Sequence, residues 1–202
     1  LGTLYEITGT RKYYTALENI WWSILKTDRH NTGGFSSGEQ ACGSPYSTGA
    51  IETCCTVAWM GLSTEYLQLS KNSLVADELE LSYFNSMLAS LLEDFRYTTY
   101  DSPMQGILTP SPLSLAFQKN SGAVDFSCCQ ANLARGVGSV SQWAVLTDTK
   151  GMYLNYYGPS SITSVAPSGQ TITLKQTTQY PLNGSICVEI QAAKPEEFTL
   201  SF

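Results

Sequence analysis

The sequence predicts an α+β chain in two parts, a helical part built from antiparallel hairpins and a strand-rich part behind it. Three observations carry this. Apolar residues recur with the 3.6-residue period of half-buried helices as far as about residue 146, and after Lys150 the period changes to 2. Neighbouring helices are separated by only a few residues, which makes each pair an antiparallel αα-hairpin and successive hairpins a helical toroid. The change of period places a domain boundary near Asp148–Gly151, dividing the chain into 1–149 and 150–202.

In chain order, Leu1 to Gly9 reads as the last turns of a helix closed by a glycine at C′. Residues 10–27 form a helix with Thr10 as N-cap and Leu17, Ile20, Trp21, Ile24 and Leu25 on one face. Gly, Ser, Thr, Asn and Pro then dominate to Gly49, which predicts a long loop, and loops of that length are commonly functional. Helices follow from about Ala50 to Ser70 and from Leu74 to about Asp94. Pro103, Pro110 and Pro112 mark 97–125 as loop, with one short strand at 113–117. A fourth helix spans about Ser127 to Leu146 and contains Gly136 and Gly138, residues that disfavour a helix interior. Strands are expected at 152–157, 171–175 and 186–190, with Asn183-Gly184 as a hairpin turn; with Ser185 the same residues also spell an N-glycosylation sequon. Both ends read as cuts through secondary structure, the expectation being a segment of a longer polypeptide. Two or so hairpins cannot close a toroid, so Leu17, Trp21 and Leu25 are expected to stay uncovered without the rest of the polypeptide or self-association.

Composition removes several function classes. The chain of 202 residues is 43% hydrophobic and 14% charged, values of a folded globular protein. Eleven Lys and Arg face seventeen Asp and Glu, for a net charge of -6, and no basic run exceeds Arg11-Lys12, which argues against nucleic-acid binding. No apolar stretch reaches the roughly 18 residues that would read as a membrane span. Compartment is not legible.

Six cysteines, Cys42, Cys54, Cys55, Cys128, Cys129 and Cys187, include two adjacent pairs. Adjacent cysteines do not easily bond each other, so a disulfide framework is a poor account, and the ordinary alternative is a set of small buried hydrophobes. Glu52-Thr53-Cys54 and Cys128-Cys129 both stand at expected helix starts, where backbone N–H groups favour thiolate. Glu52, Cys54, Cys128 and Cys129 together make a donor set suited to tetrahedral zinc, although their spacing matches no common zinc-finger pattern.

Gly33-Gly34-Phe35-Ser36-Ser37-Gly38-Glu39, Glu52-Thr53-Cys54, Ala76-Asp77-Glu78-Leu79-Glu80 with Tyr83-Phe84-Asn85, and Cys128-Cys129-Gln130-Ala131-Asn132-Leu133-Ala134-Arg135 occur in this order. In that order they resemble the glycoside hydrolase family 127 type of β-L-arabinofuranosidases, and Gln176 to Gly184 is similar to the β-sandwich segment behind their barrel. The resemblance implies the later helices of an (α/α)6 helical barrel followed by the start of an antiparallel β-sandwich. It implies a Zn2+ ion held by Glu52, Cys54, Cys128 and Cys129, with Cys128 as nucleophile and Glu39 as acid/base of a retaining glycosidase. The substrate it implies is a carbohydrate with β-L-arabinofuranosyl-type linkages, from plant glycans. Departures are Ser37, where relatives often carry His, and Gln130-Ala131, where prolines usually follow the Cys pair.

The chemistry stands beside the family. In the reaction the resemblance implies, a thiolate would replace the nucleophilic carboxylate of an ordinary retaining glycosidase, and Glu39, in an uncharged stretch, would protonate the leaving oxygen. Two alternatives belong to other classes: a non-catalytic helical-barrel protein with a structural zinc, which would not need Glu39, and a carbohydrate-binding fragment using Trp21, Trp22, Tyr97 or Tyr100. Cys42, Cys55 and Cys187 are left without a role, and the lone His30 reads as a polar loop residue.

Overall fold

The computed structural model describes residues 1–35, 40–46, 51–111, 127–195 and 197–202. Two compact units divide the chain, Leu1–Ser139 and Val140–Phe202. The expected strand at 113–117 and the expected helix start at Ala50 lie outside the described residues.

In the first unit, α1 (Gly2–Thr8) ends at Gly9, whose left-handed conformation (φ 64°) returns its N–H to the Tyr5 carbonyl. Helix α2 (Arg11–Thr27) follows with Thr10 at the N-cap position. The apolar stripe finds cover within the chain. Leu17 and Trp21 are fully buried; Trp21 stacks on Trp59 at 5.5 Å between ring centroids, and its Nε1 donates to Ser63 Oγ. The sequence expectation that this face stays uncovered is thus corrected for Leu17 and Trp21, while Leu25 is half-buried. The reason is that α3 (Thr53–Ser70) is apolar on several faces and supplies Trp59, Tyr66 and Leu67.

Helix α3 starts three residues later than the sequence indicated, because Ile51–Glu52 form a two-residue strand, β1. It pairs antiparallel with β2 (Asp101–Ser102), Ile51 opposite Ser102 and Glu52 opposite Asp101. Lys71 in the left-handed region (φ 53°) ends α3, and Asn72 caps α4 (Ser73–Ser82) by accepting from Leu74 N–H, which makes the expected hairpin. The expected helix through Asp94 stops early. A π-turn at Tyr83–Met87 and a 3-10 turn at Leu88–Ser90 lead into extended backbone at Leu91, which bridges to Thr98.

Helix α5 (Cys128–Gly138) is capped by Ser127, whose side chain accepts from Gln130 N–H. It is shorter than the helix through Leu146 that the pattern indicated. Gly136 stands inside this helix, where a Cβ would lie 2.5 Å from Met87 Sδ and 2.8 Å from Val57 Cγ2; close approach accounts for the glycine.

The Gly33-Gly34 pair has the same kind of cause. Gly33 has φ +80°, and a Cβ on it would lie 2.6 Å from the backbone N of Ser82, whose hydroxyl donates to the Gly33 carbonyl. Gly33→Ala is expected to cost about 3 kcal/mol, combining left-handed strain with a clash against backbone. The urea midpoint of the full polypeptide checks this, and an unchanged midpoint would contradict it.

The second unit opens with the short helix α6 (Val140–Trp143). One sheet contains β3 (Val145–Thr147), β4 (Gly151–Leu154) and β8 (Thr199–Ser201), and another β5 (Ser160–Val165), β6 (Thr171–Thr178) and β7 (Ile186–Ala192). Met152, Leu154, Ala166, Ile172 and Leu174 form the core, flanked by Val145, Ile162, Val188 and Leu200. Pairing is antiparallel except between β4 and β8, which run parallel because the chain makes the whole second sheet before returning. Asn183-Gly184 is not a two-residue hairpin turn. Pairing ends at Thr178 opposite Ile186, where the Thr178 hydroxyl binds the Ser185 carbonyl, and Asn183 lies in the exposed connection. Among the described residues no helix is long and apolar enough to cross a membrane.

Candidate functional site

Two helix N-termini converge in the first unit. Cys54 is the second residue of α3, Cys128 and Cys129 are the first two of α5, and these helices pack together. Their three sulfurs all lie within 4.8 Å of one another, the one such group of potential metal ligands among the described residues. Cys54 and Cys129 Sγ are 3.1 Å apart. The strand pair fixes this arrangement: Thr53 N–H donates to the Tyr100 carbonyl at 3.0 Å, and the Cys129 thiol donates to the same oxygen at 3.8 Å.

Asn132, one helical turn after Cys128, was not singled out for a role by sequence reasoning. Its Nδ2 donates to the Cys128 carbonyl at 3.0 Å and to Cys54 Sγ at 3.4 Å, tying the two helices together across the site. The four-residue spacing carried the signal for the first bond; nothing local carried the second. Gln130, at a place where prolines were expected, bridges the α5 start to the loop before β2. Its Oε1 accepts from Thr98 N–H and its Nε2 donates to the Arg96 carbonyl.

Glu52, two residues before Cys54, is buried but is not a member of this group. Its Oε2 accepts from Cys55 Sγ at 3.0 Å. Glu39 lies outside the described residues, as do Ser36, Ser37 and Gly38. Phe35, the last described residue before Glu39, donates its N–H to Thr56 Oγ1, and its ring lies 6.4 Å from that of Trp59. His30, expected as a polar loop residue, is buried. Its N–H binds the Gly34 carbonyl where the loop folds back, and burial lowers its pKa against the opposing pull of Asp28. Arg29 pairs with Glu78 (Nη2 to Oε1 3.0 Å, Nε to Oε2 2.9 Å), and burial raises the Glu78 carboxyl while Arg29 pulls it down. Trp21 and Tyr100 are core residues rather than surface stacking platforms. Cys42 and Cys187 are exposed.

The donor set fits a thiophilic ion. Ligands about 2.3 Å from a tetrahedral centre stand about 3.8 Å apart, so the Cys54 and Cys129 sulfurs would separate slightly to hold one. Without an ion, Cys54 and Cys129 favour their protons. Burial pushes Cys54 up to about 12, Cys128 adding to this while hydrogen bonds from Cys129 and Asn132 oppose it; burial and then Cys54 also raise Cys129.

A pH dependence follows. A thiol whose folded pKa is raised contributes stability that is complete below its ordinary value of 9.0 and is lost as pH climbs toward about 12. The melting temperature of chelator-treated protein is therefore expected to fall above pH 9. The Cys54→Ala, Cys129→Ala double variant should fall less over that interval, and equal slopes would contradict the assignment.

Comparison with known proteins places these residues in context. A family model described as β-L-arabinofuranosidase, GH127 catalytic domain, matches residues 1–142. A non-reducing end β-L-arabinofuranosidase of Bifidobacterium longum subsp. longum is 25% identical over 192 residues, 90% of this chain and 29% of that protein. The crystal structure of a GH127 β-L-arabinofuranosidase from Geobacillus stearothermophilus T6 superposes with a TM-score of 0.79 at 22% identity, covering 98% of this chain and 33% of that one. A second solved GH127 β-arabinofuranosidase gives 0.79 at 21% identity, covering 98% and 31%. The chain thus spans about a third of the length of these relatives.

Proposed function

The chain belongs to the β-L-arabinofuranosidase GH127 catalytic-domain family, and from that membership we propose that it carries the catalytic residues of a retaining glycoside hydrolase. The substrate class is carbohydrate, the β-L-arabinofuranosyl-type linkages of plant glycans. The observation that carries the reading is the meeting of Cys54, Cys128 and Cys129 sulfurs at two helix N-termini, within 4.8 Å of one another. On this reading the helical first unit is part of an (α/α)6 barrel, the strand-rich second unit, which opens at Val140 rather than at the expected residue 150, begins a β-sandwich, and the rest of the polypeptide completes both.

Zn2+ would be held by Glu52, Cys54, Cys128 and Cys129, and when bound it would supply the positive charge that keeps the sulfurs deprotonated at neutral pH. Cys128 Sγ then attacks the anomeric carbon. As the S–C bond forms, the glycosidic C–O bond breaks, and Glu39 gives its proton to the departing oxygen. In the second half a water attacks the same carbon, Glu39 takes the water's proton, and Sγ leaves as thiolate. Two inversions at one carbon retain its configuration. The α3 and α5 N-termini stabilise negative charge at sulfur, and Asn132 holds the two thiol-bearing turns in register. The role of Glu39 as the acid/base rests on family membership and on the chemistry of the leaving oxygen.

The test is metal content. Freshly purified, reduced full-length protein is expected to contain one zinc per chain, with stability and activity both falling on chelation. Absence of zinc, or a disulfide between any two of the three cysteines, would overturn the site.

A further inference from the structure

Cys55 follows directly on the Glu52-Thr53-Cys54 motif and has neither the ligand nor the nucleophile role. Its Sγ nonetheless lies 3.0 Å from Glu52 Oε2, across the first turn of α3. Glu52, whose carboxylate it meets, is only 3% exposed. The backbone of Glu52 is fixed on both sides by other contacts. Glu52 pairs with Asp101, Thr53 N–H and Oγ1 donate to the carbonyls of Tyr100 and Thr99, and Thr56 Oγ1 donates to the Glu52 carbonyl. With the backbone so fixed, the Glu52 side-chain torsions set where its two carboxylate oxygens stand.

We propose that Cys55 is a positioning residue for Glu52: its S–H donates to Oε2, holds the carboxylate plane in one orientation, and leaves ligation of a metal to the other oxygen. This rests on the reading of Glu52 as a ligand. Two physical points carry it. A buried carboxylate needs hydrogen bonds in place of lost water, and a thiol three residues along the same helix supplies one with no rearrangement of the chain. A ligating carboxylate fixed in advance loses less side-chain freedom on binding, and outer partners of this kind typically change metal affinity by about 10- to 100-fold. Serine could make the same bond, whereas alanine could not.

The experiment measures Zn2+ affinity of the reduced full-length protein by chelator competition, for the parent, Cys55→Ala, Cys55→Ser and Glu52→Gln. Cys55→Ala is expected to bind one zinc about tenfold more weakly, and Cys55→Ser to stay within about threefold of the parent. In Co2+-loaded samples the ligand-field bands of Cys55→Ala should move toward those of Glu52→Gln, which a merely structural loss would not produce. In metal-free protein the infrared S–H band of Cys55, identified by its loss in Cys55→Ala, should rise in frequency in Glu52→Gln. Affinity of Cys55→Ala equal to the parent, Cys55→Ser as weak as Cys55→Ala, or an unmoved S–H band overturns the proposal. If Glu52→Gln binds zinc like the parent, the ligand assignment fails and takes this proposal with it. A weak Glu52→Gln beside a normal Cys55→Ala removes Cys55 alone.

Discussion

Cys128→Ser in the full-length polypeptide is expected to lower turnover by about 10⁴-fold or more, the scale on which loss of a covalent nucleophile acts. The substitution changes one atom at the first residue of α5. Ser127 still caps that helix, and Asn132 still reaches the residue-128 carbonyl, so the protein should fold and Cys54 and Cys129 should keep their places. A serine hydroxyl is far more weakly acidic than a thiol and is not converted to a comparable nucleophile by the same surroundings. The measurement is steady-state hydrolysis of an aryl β-L-arabinofuranoside alongside metal content. A fall of less than tenfold with normal metal content would assign attack to another group.

Glu39→Gln is expected to separate substrates by leaving group. Natural glycosides, whose departing oxygen needs the proton, should lose about 10²- to 10⁴-fold. Substrates with an acidic phenol as leaving group should lose less than about tenfold in the first step, because the C–O bond breaks without protonation. Added azide should restore the second step, since an anion needs no base to attack. Equal loss on both substrate classes would mark Glu39 as structural.

The helical part was legible where a local pattern decided it. Gly9, Thr10 and the Leu17–Trp21 face located α1 and α2, and Lys71-Asn72-Ser73 located the turn between α3 and α4. What escaped was decided at a distance. The Ile51–Glu52 strand is two residues long and exists because Asp101–Ser102 return to pair with it. Two residues carry no period, so a helix start was the natural expectation there. Strand β5 is rich in serine and half-buried in alternation, too polar to stand out, and β8 pairs parallel only after the second sheet has been made. His30 is buried because its loop folds back on Gly34, which its own neighbours do not announce.

In the candidate site the three convergent thiols were legible because both cysteine motifs stand at helix starts, a feature with a chemical reason. Asn132 was not, since its contact with Cys54 depends on how α3 and α5 meet, and Cys55 was not, since it meets Glu52 across a first turn of α3 whose start the Ile51–Glu52 strand sets.

The most direct test of the account is covalent trapping. An anomeric electrophile shaped like L-arabinofuranose, incubated with the reduced full-length protein and followed by peptide mass spectrometry, is expected to label Cys128 stoichiometrically as activity disappears, and not to label Cys128→Ser. Labelling of a carboxylate instead would show that the convergent cysteines serve the structure and that the nucleophile lies elsewhere.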